Sequence, residues 1–535
     1  MVRLRAVGGR LNPDLTARLE EADRAHAQGK VEAAAAIYHE VIAKHPFEPQ
    51  ALHMLGVIAQ QQGNTELSLS WIDAALTVKP DFLEARYNRS VILRSLGRNE
   101  EAMQSVYKVL DRSPDFAPAW DMAGQILKDK GNYGHARKAF SIAIELQPEN
   151  AQYHGNYALL LLAMDNWREA YKEARRASEL DPHYPPMILG NILWGAGYPE
   201  KAAAFFAKAR PLLPDPADSF ASEAMAVLQT GDMEKGWALW ENRPDLSPEL
   251  KALPFWHGPR AQSLLLYEDQ GIGDAIQFMR YIPLLKNCAE KITLRLRTPL
   301  VDLAAANFPD IEVISEKDPL PVAEARCRLS SLPFHFATRL NDIPLAPYLK
   351  PVEGTPPPLS GVKPPRIGLV WAGNAKFHND GARSIPFATL KPLIDSGAGH
   401  FVSLQKEHSE NLVRAGVLDA APKLNTFAET AALMSELDLI ISVDTAAAHL
   451  AGALGKPVFI LLPFNADWRW LIGREDSPWY PSARLFRQTA PGDWATALSD
   501  VAENVRRFIA GDESVLSPQP WTGEPLRQNP NALEI

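Results

Sequence analysis

Three short segments bring together residue types able to do chemistry. The first, Glu268-Asp269-Gln270-Gly271-Ile272-Gly273-Asp274, follows an apolar run and opens a helical pattern. It lacks the third glycine of a dinucleotide fingerprint. Glycines at 271 and 273 would let a substrate approach the backbone, with Asp274 at the mouth of the cleft. On spacing alone the favoured role for Asp274 is a cap on the backbone amides of Ile276 and Gln277, a common use of aspartate. The second segment is the loop carrying Asn374, Lys376, His378, Asn379, Arg383 and Ser384, before a helix expected near Pro386. Amides, hydroxyls and cations between a strand and a helix make a phosphate site; a solvated basic loop is the plainer reading. The third runs from Ser442 through Asp444, Thr445 and His449 to Gly452, where a buried strand gives way to a small-residue helix. Free amides at that terminus favour a phosphate or diphosphate. Thr445 and His449 are four apart and share a helix face, although a helical histidine also serves simply as packing. Gln405, at the end of a further strand, is a candidate contact to a base or ribose.

Strands alternating with helices must position these segments. From Ser263 onward the runs 264–268, 292–297 and 312–315 read as strands, with helices over Asp274–Lys286 and near Val301–Asn307. A Pro- and Gly-rich stretch from Pro344 to Pro365 reads as a linker. The runs 366–373, 401–405, 437–443, 457–462 and 483–488 are further strands. This alternation predicts two parallel α/β lobes, over 255–360 and 361–511, with a ligand cleft between the carboxyl ends of their strands. Residues 512–535 are Pro-rich and read as a disordered tail.

The first half has a different period. Pro46, Pro80, Pro114, Pro148 and Pro182 are each 34 residues apart, and Gly29, Gly63, Gly97 and Gly131 keep the same step. Small residues recur at Ala22, Gly56, Ser90, Gly124 and Ala158, and large ones at Tyr38, Ile72, Val106, Phe140, Phe206 and Trp240. After Pro182 the series slips by two residues around His183–Pro186, then resumes to Pro248. Each unit reads as two helices crossing at small residues, joined by a glycine turn and stopped by proline. Seven such units, over 15–250, resemble tetratricopeptide repeats, an all-α superhelix whose concave face binds peptides and proteins. Asn88 and Asn156 share one repeat position, the pattern of an asparagine ladder that grips peptide backbone. Glu20, Met54 and Met122 interrupt it, and two solvated helix asparagines are the alternative.

Composition excludes several classes. Among 535 residues, 55 Lys and Arg face 64 Asp and Glu, a net charge of −9, which argues against nonspecific binding to nucleic acid or an anionic membrane. Two cysteines are too few for a disulfide framework or a Cys-rich zinc site. No run approaches a membrane span, and residues 1–10 lack an apolar signal core, so a cytoplasmic protein is expected. The chain has no Asp-x-Asp, and neither a metal nor a cofactor is expected.

The segment VDTAAAHLAGALGKPV (443–458) resembles the donor motif of heptosyltransferase-like GT-B glycosyltransferases, in which the Asp-Thr pair and the His contact a nucleotide sugar. The Gly-x-Gly-Asp segment is similar to their N-lobe motif, whose aspartate acts as general base; by position this is Asp274. GLVWAGN (368–374), Arg383-Ser384-Ile385-Pro386, SLPFHF (331–336) and DWRWLIGREDSPWYPSARLFRQ (467–488) resemble a bacterial subgroup that joins tetratricopeptide repeats to this catalytic domain. Within it the layout is similar to soluble flagellin glycosyltransferases that use an activated, sialic-acid-like sugar. Ala446 stands where heptosyltransferases carry glycine, and the N-lobe is short.

The resemblance implies an α + α/β chain, a repeat superhelix followed by a two-lobed GT-B domain. It implies a metal-independent, inverting protein O-glycosyltransferase using a nucleotide sugar, CMP-linked in the flagellin case. Asp274 would be the base. Asn374, Arg383, Ser384, Gln405, Asp444, Thr445 and His449 would bind the donor, and the repeats, Asn88 and Asn156 included, would hold a protein acceptor such as flagellin. Two alternatives keep other classes open: transfer to a glycan or lipid acceptor, or a non-catalytic scaffold that only binds a nucleotide. Should Asp274 prove a cap, His335 is the next candidate base.

Overall fold

The computed structural model describes residues 13–245, 247–258, 260–352, 359, 362–375, 380–396, 399–406, 416–517 and 533. The chain divides into two compact units, Met1–Tyr184 and Pro185–Ile535. The division falls in the loop where the 34-residue series slips.

The first unit is built from helix pairs: α1 (Pro13–Ala27) with α2 (Val31–Lys44), α3 (Pro49–Gln61) with α4 (Thr65–Val78), and α5 (Leu83–Ser95) with α6 (Asn99–Leu110). α7 (Ala117–Asp129) with α8 (Tyr133–Leu146), and α9 (Ala151–Ala163) with α10 (Trp167–Leu180), complete it. The turn glycines are there for their backbone: Gly29, Gly63, Gly97 and Gly131 sit at φ of +72 to +80°, and Asp165 takes the same left-handed place at +54° in the fifth pair. The crossing glycines are there for space. A Cβ on Gly56 would lie 2.7 Å from Ile72, and one on Gly124 2.8 Å from Phe140. The recurrent large residues Tyr38, Ile72, Val106 and Phe140 are fully buried against these small positions.

The second unit opens with four more helices of the repeat pattern: α11 (Pro186–Gly195), α12 (Pro199–Ala209), α13 (Ala217–Gln229) and α14 (Met233–Trp240). Two parallel sheets follow. The first contains β1 (Ala261–Tyr267), β2 (Ala289–Leu296), β3 (Glu312–Ser315) and β4 (Ala325–Arg328) in the order β3-β2-β1-β4. α15 (Ile272–Phe278) follows β1, α16 (Val301–Asn307) follows β2, and α17 (Leu332–His335) follows β4. The helix expected over Asp274–Lys286 starts two residues earlier and ends at Phe278, because Pro283 turns Met279–Asn287 into 3-10 geometry.

The second sheet contains β5 (Arg366–Val370), β6 (His400–Ser403), β7 (Leu418–Asp419), β8 (Leu439–Val443), β9 (Val458–Leu462) and β10 (Ala483–Arg487), ordered β10-β9-β8-β5-β6-β7. Its helices are α18 (Asp380–Arg383), α19 (Phe387–Ile394), α20 (Phe427–Ser435), α21 (Ala446–Ala453) and α22 (Trp494–Ile509). Both sheets are doubly wound. Their orders reverse between β1 and β4 and between β5 and β8, and ligands of such sheets bind outside the carboxyl ends at that reversal. The chain is thus α plus α/β, with helical repeats ahead of a parallel-sheet region. Among the described residues no helix is long and apolar enough to cross a membrane.

One hydrophobic core spans α14, both sheets and the Trp-rich segment after β9. Trp237 of α14 is fully buried, edge-on to Trp468 at 5.3 Å and to Phe278 at 6.2 Å. Gln229 of α13 donates to the Ala466 carbonyl at 2.9 Å. The last repeat therefore belongs physically to the α/β body, and residue 250 marks a change of sequence period rather than of packing. The Pro344–Pro365 stretch is also packed in part, since the amides of Tyr348 and Leu349 both donate to the Ala453 carbonyl at the end of α21. The expected tail is ordered at its start: Glu513–Leu516 forms a 3-10 turn with Val515 fully buried, and the Leu533 amide donates to the Tyr198 hydroxyl. Residues 518–532, 534 and 535 lie outside the described residues.

Candidate functional site

Asp274 is the third residue of α15, at the carboxyl end of β1. Its carboxylate reaches back to the Gly271 amide at 2.7 Å, satisfying one of the donors that a helix start leaves open. This differs from the expected cap on Ile276 and Gln277. The other carboxylate oxygen pairs with Arg469, which comes from the Asp467-Trp468-Arg469-Trp470 segment following β9. Burial pushes the Asp274 carboxyl above the usual range; Arg469 opposes the rise and Asp467 adds to it.

Gly273 is small for a reason unrelated to substrate approach. A Cβ there would lie 2.8 Å from the His449 ring and 3.5 Å from the Cα of Ala446, so α15 and α21 cross at that glycine. His449 is buried, stacked on Trp470 with centroids 5.3 Å apart, and its Nδ1 meets the Tyr480 hydroxyl at 2.9 Å. Burial, with Arg469 and Arg280, pushes its pKa well below the usual imidazole value, so the ring is neutral. The structure therefore places His449 as a packing residue whose Nε2 stands 3.9 Å from Asp444.

Asp444 leaves β8 and Thr445 is the N-terminal cap residue of α21, its hydroxyl 3.2 Å from that of Ser442. Burial, then Asp467, lifts the Asp444 carboxyl to about 6, against the pull of Trp470, Arg469 and Arg383. Arg383 arrives from the loop after β5: Nη1 donates to the Asp444 carbonyl at 3.0 Å, and Nε pairs with Asp380 at 3.0 Å. Ser384 accepts from the Gly373 amide and donates to Asp380, each at 2.9 Å. Asp380 and Arg383 lie so close over Gly373 that a Cβ there would come within 2.4 Å of either side chain. Asn374 is exposed in this loop, while Lys376, His378 and Asn379 lie outside the described residues.

Gln405 is buried, and its carboxamide oxygen accepts the amides of Trp371 and Ala372 at 3.2 and 3.0 Å. It braces the loop that carries Arg383. Beside it, Lys406, Asp419, Ala421, Pro422, Leu424 and Asn425 line a depression of about 200 Å³. His335 packs on Trp256 at 4.6 Å, and burial lowers its pKa. In the first unit, Asn88 Nδ2 lies 2.7 Å from His53 Nε2, and Asn156 Nδ2 lies 3.0 Å from both carboxylate oxygens of Asp121. Each asparagine therefore stitches its helix to the first helix of the preceding repeat.

Three participants carried no role in the sequence reading. Asp380 organises Arg383 and Ser384, while Arg469 and Asp467 surround Asp274 and Asp444. The signal for Arg469 and Asp467 was the charged pair inside a tryptophan-rich run, where burial of the tryptophans buries the charges between them.

Comparison with known proteins agrees with this layout. Residues 19–81 and 122–185 match one tetratricopeptide repeat family and 83–116 another. Residues 404–462, which hold β8, α21 and β9, match glycosyltransferase family 9 (heptosyltransferase). The chain thus carries tetratricopeptide repeats towards its N-terminus and a family 9 glycosyltransferase domain towards its C-terminus. It is homologous to Protein FlbA of Caulobacter vibrioides, 24% identical over 445 residues, covering 66% of this chain and 72% of the relative. Among solved structures it is similar to a tetratricopeptide repeat protein from Parabacteroides merdae (17% identity, 43% of this chain and 92% of that one, TM-score 0.37). It is also similar to MamA from Desulfovibrio magneticus RS-1 (18% identity, 32% and 98%, TM-score 0.30).

Proposed function

We propose that this protein is a GT-B glycosyltransferase that moves a sugar from a nucleotide to a Ser or Thr hydroxyl of a protein held by the repeats. The observation that carries the reading is the meeting of two strand ends. Arg383 from the β5 loop reaches the start of α21 at the reversal point of one sheet, and Asp274 stands at the reversal point of the other. Arg469 links Asp274 to the α21 side. A cation beside a helix N-terminus is suited to a leaving phosphate, and a carboxylate facing it is suited to an incoming hydroxyl.

In this reading the hydroxyl oxygen attacks the anomeric carbon from the Asp274 side and passes its proton to that carboxylate. The bond from the anomeric carbon to the phosphate oxygen breaks, and its electron pair leaves with the nucleotide, inverting the centre. Arg383, Ser384, Asn374 and the Asp444–Thr445 terminus hold the charge that develops, without a metal, as the missing Asp-x-Asp anticipates. The depression beside Gln405 suits the base or ribose. The resemblance makes flagellin the first acceptor to try and a CMP-linked, sialic-acid-like sugar such as pseudaminic acid the first donor. The place of action is the cytoplasm, with no membrane or nucleic-acid partner.

The experiment is intact-mass analysis of candidate acceptors from cells with and without the gene, followed by transfer assays with CMP-, ADP-, UDP- and GDP-linked sugars and excess chelator. A mass loss of one sugar in the deletion strain is expected. Asp274→Asn should lower turnover by about 10²–10⁴ and leave donor KM within about threefold, because only proton acceptance is lost. Normal turnover in that variant would end the general-base reading.

A further inference from the structure

Arg469 is almost buried, and its guanidinium nitrogens contact different parts of the site. Nη2 pairs with Asp274 of α15, Nη1 with Asp467 at 2.7 Å, and Nε with the Gln277 side chain, one turn further along α15, at 2.8 Å. The cation also lies 4.3 Å from the ring centroid of Trp468. It thus grips two residues on one face of α15 from the opposite sheet's side of the body. Trp468 in turn rests on Trp237 of the last repeat helix.

We propose that Arg469 is the positioning residue of this site, delivered from the second sheet to orient the Asp274 carboxylate towards the cleft. The proposal rests on the reading of Asp274 as the base. Asp274 Oδ1 is held by Arg469 and Oδ2 by the Gly271 amide. A carboxylate has about four lone-pair sites, so two such bonds fix its plane and leave acceptor capacity on each oxygen for a substrate hydroxyl. The side chain is one-fifth exposed, enough for that approach. A planar fork suits this task better than a lysine, which would meet one oxygen as a point charge and release Gln277.

The charges explain why a cation is needed here. Asp274 faces Arg469 and Asp467 from the Trp-rich segment, Asp269 and Glu268 from the loop after β1, and Asp444 lies across Arg469. Glu268 has its own partner in Arg297 at 2.9 Å, and Asp269 has Arg243 at 2.8 Å. Among the described residues, Arg469 is the cation that pairs with both Asp274 and Asp467. Burial works against its charge, yet those two carboxylates hold its pKa above the usual guanidinium value.

The test compares Arg469→Gln, Arg469→Lys, Asp274→Asn and the Arg469→Gln/Asp274→Asn pair in the full chain. Melting temperature is read from pH 5 to 8 and transfer kinetics with whichever nucleotide sugar supports wild-type labelling. A carboxyl raised by folding costs stability above its unfolded pKa, and losing Arg469 widens that cost. The melting deficit of Arg469→Gln should therefore be largest at pH 8, shrink towards pH 5, and be relieved in part by Asp274→Asn. Its turnover should fall by at least about tenfold, with an acid limb moved to higher pH and donor KM within about threefold. Arg469→Lys should recover the stability more fully than the turnover. A pH-independent deficit that Asp274→Asn leaves unchanged would overturn the pairing, and normal turnover in Arg469→Gln would overturn the positioning role. Normal turnover in Asp274→Asn overturns the base reading instead, whatever the melting cycle gives, so the two failures are separable.

Discussion

At the residue scale, the site is a set of carboxylates whose charges are only partly balanced, and Asp444 is the one with the clearest consequence. Its carboxyl ionises at about 6 in the fold, whereas an unfolded aspartate ionises near ~3.9. A raised carboxyl costs nothing below the unfolded value; the penalty builds as pH climbs from about 4 to about 6 and persists above. Asp444→Asn removes it. The variant should therefore melt higher than wild type at pH 7–8, with the difference narrowing towards pH 4, as differential scanning fluorimetry across that range will read. A flat difference across the range would mean that Asp444 is not held in this raised state. The glycines at 273 and 373 belong to the same scale. Gly273 was legible as a site of close approach, but the approaching atoms are those of His449; Gly373, which carried no role in the sequence, is crowded by the Asp380 and Arg383 side chains.

At the element scale, the last repeat helix, α14, and the α/β body interpenetrate. Trp237 fills the core under Trp468, Trp240 donates to the Ser330 hydroxyl at 3.2 Å, and Arg243 holds Asp269, Ser330 and Ser331. Asp245 pairs with Arg326 at 2.8 Å and stands 3.7 Å from Arg328, both on buried β4. A fragment beginning at Leu253 would lose all of these and leave buried arginines and Asp269 without counter-charges, each such loss costing about 3–5 kcal/mol. We expect that fragment to show no cooperative melting transition, and one beginning at Pro185 to show a single sharp one. Strand β4 itself was missed in the sequence because Ala-Arg-Cys-Arg carries no apolar run. Its arginines are buried on the strength of Asp245, about eighty residues earlier in the chain. Strands β1, β5, β8 and β9 were legible because they are largely apolar on both faces, as parallel strands covered by helices must be, and β2, β3, β6 and β10 through shorter or alternating apolar runs.

At the scale of the whole molecule, the chain consists of two compact bodies divided at Tyr184–Pro185. Under the proposed function, the first body supplies acceptor binding and the second supplies the chemistry. Residues 185–535 alone should bind the donor nucleotide with an affinity within about threefold of the full chain, yet label the protein acceptor at least about tenfold more slowly, since the tethered acceptor's effective concentration is lost. Isothermal titration with the nucleotide and a transfer assay on the folded acceptor check the two halves of that expectation. Equal labelling by the fragment would remove the five helix pairs of the first body from acceptor recognition.

The sequence by itself determined the repeats, the parallel-sheet α/β region and the three loops at the strand ends. Those features are periodic or local: a 34-residue recurrence, a two-sided apolar strand and a helix start are each written within a few tens of residues. It also pointed to Asp274, Arg383 and Asp444 through residue type at strand ends. Only the tertiary structure decided what those groups meet. That Asp274 faces Arg469, that His449 is shut between Trp470 and Tyr480, that Gln405 spends its oxygen on the β5 loop, and that Asn88 and Asn156 bind neighbouring repeats are all contacts between distant segments. Such pairings depend on how helices cross and sheets reverse, and the energy of a buried charge depends on partners that no local pattern names.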